Sequence, residues 1–443
     1  MQFRQEFPLP VLSAWDPRAA VSGSIDPLGA LRPFTAIATT LFPGITTITT
    51  RVRYLSWVCA GLRILNGTPN APTGGRSGRA RRQRVLAWER LLALATGMYA
   101  TSVGAAADDD AWRQLRGVTY VLRAIAEGLR GPAFPMLRNQ AGIGGVGTYW
   151  VTLVAGGLVE EDSGALTTRG EALADAFLKF QVTPERGKLH RLLAGGDVTF
   201  SELALTEWGC VAHLGAASKG EQSLLADALL EPLAHRRMAA AMQAVSATNS
   251  DADTFSRLSK QLRTFRDPLS EQLAAVLTVT QAFEALHAEL LYRFNLIRAI
   301  NQHGRPIAAS AIDLTGGKKS LPKLGETLVS VLEQHTMNLP ASVTEAVRGF
   351  WLAVEPTVRA RSNGELVFAL VRYHERVQSG KLDASRQPKL PWMESRGSDI
   401  VVAPRYSLVD PPRLPVVGIF THPYRIEQFS GMFAETGDRT ASA

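Results

Sequence analysis

Apolar residues recur at helical spacing along most of this chain, and the places where that spacing fails divide it into segments. Residues 27 to 66 read as two helices split by the turn Phe42-Pro43-Gly44. In the second, Ile48, Val52, Leu55 and Cys59 fall three and four apart, which directs one stripe toward a core. The stretch GTPNAPTGGRSGRARRQR, residues 67 to 84, has no such period and reads as an exposed loop. Periodicity returns with Val85, Trp88, Leu91, Leu92, Ala95 and Met98, and a further helix is expected from about Asp110, where three aspartates complement its N-terminus. Residues 222 to 246 and 268 to 302 predict long helices, the second striped from Leu273 to Ile300 with Pro268 near its start. Helices near 322 to 336, 341 to 355 and 364 to 378 follow. From Pro388 onward, β-branched runs at Ile400 to Val402 and Val416 to Phe420 alternate with Pro-rich turns and predict short strands.

The segment from Trp112 to Phe180 has the order of a winged helix. A first helix, WRQLRGVTYVLRAIAEGL, stops at Gly131-Pro132, a short second one, AFPMLRNQAG, follows, and a glycine turn leads into VGTYWVTLVAGGLV. Leu158-Val159 and Ala165-Leu166-Thr167 can then pair across Glu160 to Gly164 as the wing, and Thr168 can cap a last helix, RGEALADAF. The expected fold is mainly α: a multi-helix protein with a central winged-helix module and a small strand-containing C-terminal region. Its segments are an N-terminal helical region, 1–110, carrying the basic loop 67–84; the winged-helix domain, 111–182; a helical domain, 183–385; and the C-terminal region, 386–443.

Composition narrows the function classes. With 46% hydrophobic and 20% charged residues, the chain is ordinary globular material rather than a disordered one. A formal charge of +8 favours anionic partners, nucleic acid or an acidic protein surface. Two cysteines in apolar surroundings, Cys59 and Cys210, exclude a disulfide scaffold and suit a reducing compartment. The start, MQFRQEFPLPVL, lacks a basic segment followed by an apolar one, and no run of about 18 apolar residues occurs, so a cytoplasmic protein without a membrane span is expected.

Candidate DNA contacts come from three places. Arg76, Arg79, Arg81, Arg82 and Arg84 set five guanidinium groups among glycines that let the backbone follow a phosphate chain. The alternative is a solvated loop. In LFPGITTITTRVRY, threonines, a helix start and Arg51 and Arg53 could hold an anion. Its alternative is a capped helix whose arginines pair with acidic residues elsewhere. In the winged-helix segment Thr148, Tyr149, Arg138 and Arg169 are the available groups, while the wing carries Glu160, Glu161 and Asp162, which repel phosphates. Those three carboxylates are instead candidates for docking a basic protein partner.

Catalytic patterns are missing from the sequence. HEXXH and paired CxxC do not occur, and the single Glu284-x-x-His287 has no second copy of the kind a di-iron bundle needs, so it reads as a surface or packing pair and no metal or cofactor is expected. The run Gly316-Gly317-Lys318-Lys319-Ser320 lacks the first glycine and the hydroxyl position of a phosphate loop. Near the C-terminus, His374, Glu375, Arg376, Lys381, Lys389, Trp392, Arg405, Tyr406, His422, Tyr424 and Arg425 suit a nucleic-acid cleft or a nuclease-like site, but only Glu394, Asp399 and Asp410 supply nearby carboxylates, so the groups read as structural or partner contacts of a β-containing appendage.

The runs FPGITTITTRVRYLSW, GTYW with GGLVEEDSGALTTRGEALADAF, and the C-terminal PW with THPYRI resemble, in that order, an uncharacterised bacterial winged-helix-containing family. Members of that family look like accessory components beside helicases in anti-phage defence loci. The resemblance spans about residues 25 to 430; it implies a DNA-linked defence context and brings no catalytic residues. The function expected is a non-enzymatic DNA-binding or scaffolding subunit of a bacterial DNA-transaction or anti-phage defence complex, with DNA and other subunits as partners. A protein-binding adaptor without DNA contact, or a nuclease-like effector, are the alternatives.

Overall fold

The computed structural model describes residues 26–66, 85–94, 97, 116–128, 134, 136, 137, 140, 144–179, 218–247, 249–300, 304–315, 320–383, 386–408, 410, 412–416 and 418–437. It is mainly helical. In chain order the helices are α1 (Leu31–Leu41), α2 (Arg53–Asn66), α3 (Val118–Ala126), α4 (Gly145–Ala155), α5 (Thr168–Lys179), α6 (Lys219–Leu229) and α7 (Leu233–Ala244). They continue with α8 (Ala252–Thr264), α9 (Pro268–Ile300), α10 (Leu321–His335), α11 (Ala341–Val358), α12 (Asn363–Ser379) and α13 (Ile426–Glu435). Residues 85–94 are also helical. Three short strands, β1 (Ile307–Ala308), β2 (Met393–Arg396) and β3 (Asp399–Val402), form an antiparallel sheet in the order β1-β3-β2. No helix among the described residues is long and apolar enough to cross a membrane.

Contacts divide the chain into two units, each discontinuous in sequence: residues 1–40 with 250–422, and 41–249 with 423–443. This division cuts across the four sequential segments read from the sequence, because the chain leaves the first unit after α1 and returns to it at α8.

In the first unit α9 is the central helix. Its buried residues run all around it, from Leu273, Val276 and Phe283 to Leu290 and Phe294, and α8 and α10 pack against it. Its start is fixed by Asp267, whose carboxylate accepts from Ser270 N at 3.1 Å and Ser270 Oγ at 2.6 Å, with Pro268 in the first turn. Helix α8 was not anticipated from the sequence. Asp251 caps it, accepting from Thr254 N at 2.7 Å, and Phe255, Leu258 and Leu262 supply the buried face. The sheet packs on α12. Its β2–β3 hairpin turns through Gly397 and Ser398, with Gly397 at φ 62° and Met393 opposite Val402. Among the described residues of the second run expected as a strand, Val416 to Phe420, Ile419 alone pairs, in a single bridge to Asp251.

In the second unit α2 packs on α4, α5 and α6. Trp57 stacks on Trp88 at 5.7 Å between ring centres, and Trp88 Nε1 donates to Trp57 O at 2.9 Å. The described parts of the 112–180 segment follow the expected order: α3, then α4, then a hairpin with one antiparallel bridge, Val159 to Leu166, then α5. Of the short second helix expected there, Phe134, Met136 and Leu137 are not helical and Gln140 is, while its other residues lie outside the described ones. Thr167, not Thr168, caps α5: its Oγ1 accepts from Gly170 N at 3.1 Å and donates to Gly157 O at 2.7 Å. The long helix expected over 222 to 246 is two, because Pro232 has no N–H to continue α6 and instead opens α7.

Candidate functional site

The residues nominated for DNA contact occupy very different places. Arg53 is fully buried in the second unit, and its guanidinium lies on the Glu221 carboxylate, Nε to Oε1 at 3.1 Å and Nη2 to Oε2 at 3.4 Å, with both side chains 1% exposed. It also stands over the Phe177 ring at 5.3 Å. Arg51 pairs with Glu435, which additionally accepts from Val52 N at 2.9 Å. Arg169 is 36% exposed at its side chain and pairs with Glu231 at 2.7 Å. For the Thr-Arg segment, pairing with acidic residues elsewhere in the fold is therefore the arrangement found. The four threonines precede α2 rather than opening it, and Thr49 Oγ1 closes a local turn with Thr46.

Thr148 and Tyr149 are corrected from surface contacts to interior groups. Helix α4 turns Thr148, Tyr149 and Thr152 inward. Tyr149 Oη accepts from Thr50 N at 2.8 Å and Arg51 N at 2.7 Å, and its ring stacks on Tyr54 at 4.6 Å. Burial pushes its phenol up to about 12. Thr152 Oγ1 donates to Gly44 O at 2.6 Å. At the head of α4, Glu89 accepts from Gly145 N and from Gln140 Nε2, so a buried carboxylate sits on the positive end of that helix. What α4 exposes is Val151, at 49%, with Trp150 half-buried beneath Gly164 of the hairpin. That face offers no cation and no amide for base edges.

The hairpin tip differs. Glu160, Glu161 and Asp162 are all exposed, and none has an ion pair among the described residues. Glu160 accepts from Ser163 Oγ at 2.6 Å, which fixes the tip locally. Arg138 and the loop arginines Arg76, Arg79, Arg81, Arg82 and Arg84 lie outside the described residues.

Within the first unit His374, Glu375, Trp392 and Tyr406 serve packing. His374 is buried, its Nδ1 lying 2.8 Å from Pro27 O while Nε2 accepts from Trp392 N at 2.8 Å. Trp392 stacks on Tyr406 at 4.9 Å, and Arg298 covers its other neighbourhood at 4.8 Å while donating to Tyr406 O at 2.7 Å. Glu375 accepts from Ser395 N at 2.6 Å, tying α12 to β2.

A second cluster in the same unit joins motifs that the sequence reading kept apart. Of the surface and packing alternatives for Glu284 and His287, burial on α9 fits packing, and His422 comes to them from a distant part of the chain. Glu284 accepts from Thr421 N at 2.6 Å, from Thr421 Oγ1 at 2.7 Å and from His422 Nδ1 at 2.8 Å. Thr421 Oγ1 also lies 2.9 Å from His287 Nδ1 and 2.9 Å from His422 Nδ1. His422 stacks on Phe34 at 4.8 Å and His287 on Phe283 at 5.8 Å. Burial holds the His287 imidazole down to about 4, so it is neutral near pH 7. The available signal was Thr421-His422 in the C-terminal THPYRI run; nothing in its spacing pairs it with α9.

No family model, curated protein or solved structure matches this chain.

Proposed function

We propose that the chain is a non-enzymatic scaffolding subunit that docks a basic partner protein through the acidic hairpin of a winged-helix-type module. The carrying observation is a contrast within the second unit: Glu160, Glu161 and Asp162 are exposed and unneutralised among the described residues, while Thr148 is buried, Tyr149 is hydrogen-bonded in the interior, and Arg51 and Arg53 are paired with glutamates. A DNA-reading module presents the polar face of its third helix to base edges and a basic wing to phosphates. Here that polar face is interior and the wing is negative, so the chemistry favours a cationic protein surface over a polyanion.

The setting that fits this role is a bacterial DNA-transaction or defence assembly, which rests on the family resemblance. Any direct hold on duplex DNA is assigned to the 67–84 loop, supported by its five arginines and the net charge of +8. Co-expression with the products of adjacent genes tests the reading. Capture of one of them by the parent chain, lost when Glu160, Glu161 and Asp162 are changed together to alanine, is the expected result; capture that survives the triple change overturns it.

A further inference from the structure

We propose that Glu284, His287 and His422 form a binding site for one divalent transition-metal ion of the zinc class. Glu284 and His287 are three residues apart on α9 and so leave the same face of the helix. His422 completes a set in which one ligand atom from each residue lies within 4.8 Å of the others. A carboxylate and two imidazoles suit a borderline ion, and three protein ligands leave a fourth position open. With zinc–nitrogen bonds of about 2.1 Å at tetrahedral angles, two ligand atoms on one ion stand about 3.4 Å apart, so the widest pair must close by up to about 1.4 Å as the Thr421 hydroxyl gives up its place between them.

The surroundings hold the ligands ready. Phe283 and Phe34 fix the planes of the two imidazoles, and Thr421 reaches all three ligand residues through one hydroxyl. Glu284 and His287 are interior while the His422 side chain keeps 21% exposure, which leaves a route for an ion from solvent. Buried Glu284 takes three hydrogen bonds, and an ion would replace the one from His422 with a direct charge.

The test uses the full chain, stripped with a chelator and titrated calorimetrically with Zn²⁺, then with Co²⁺ followed by visible absorption. The expected result is one ion per chain with roughly micromolar affinity or better, intense cobalt bands of a four- or five-coordinate site, and a raised melting temperature. Glu284→Gln and His422→Ala should each weaken affinity at least about 10-fold. His374→Gln, at a buried histidine outside the cluster, should leave it unchanged. Absence of stoichiometric binding to the parent chain, or equal binding by all three variants, overturns the site. Should the ligand variants fail to fold, the cobalt spectrum of the parent decides: weak, six-coordinate bands that zinc does not displace contradict the proposal.

Discussion

Arg53 shows how a residue's role is fixed by where its charge is neutralised. Its guanidinium and the Glu221 carboxylate face each other with both side chains out of water, so removing one strands the other. Arg53→Ala is expected to destabilise the second unit by about 3–5 kcal/mol in urea unfolding, and pairing it with Glu221→Ala should restore part of the loss. An Arg53→Ala chain with parental stability would contradict this burial. His235 makes a pH-dependent contribution to the same unit. Burial holds its imidazole down to about 4, against about 6.5 when unfolded. Below about pH 6.5 the unfolded chain therefore takes up a proton that the folded chain refuses, and stability falls until about pH 4, by about 3 kcal/mol in all. Urea midpoints at about pH 7 and about pH 5 should diverge in the parent and much less in His235→Leu. At this scale the sequence offers residue types but not partners: nothing near Arg53 in the chain names Glu221, 168 residues away.

Elements were readable wherever period and punctuation agreed. Helices α9 to α12 lie within a few residues of the expected spans, because long apolar stripes are bounded by Pro268, Pro340 and Ser362. The break at Pro232 was written in the sequence and overridden by an unbroken apolar pattern on either side. Helix α8 was missed although Asp251 and its apolar face carry the signal in 13 residues. The inward turn of Thr148 and Tyr149 was not readable, since helix α4 is apolar on most sides and its period does not choose a face. The hairpin's attachment to α5 depends on Gly170, where an added methyl would fall 2.0 Å from Leu158 O. Gly170→Ala should lower stability by about 1–3 kcal/mol and loosen the hairpin. Unchanged amide exchange at residues 158 to 167 would count against that coupling.

At the scale of the whole molecule, each of the two units is assembled from separated stretches of chain. That is why the candidate ligands Glu284, His287 and His422, and the pairs Arg51–Glu435 and Arg53–Glu221, could not be anticipated from spacing. Charge alone pointed to a polyanion, but formal charge counts arginines whether or not the fold has already neutralised them. The described cations nominated for DNA are paired with glutamates, and the exposed charge of the hairpin has the opposite sign.

The most direct measurement reverses that sign. Glu160, Glu161 and Asp162 are changed together to lysine, and the binding of a labelled DNA duplex is followed by fluorescence anisotropy at about 50 mM and about 200 mM salt, alongside capture of the adjacent gene products. The account predicts that partner capture is lost while duplex affinity stays level or rises, and that changing the five loop arginines to alanine removes whatever salt-dependent duplex binding the parent has. Duplex affinity that falls on adding the lysines, with partner capture intact, would contradict it.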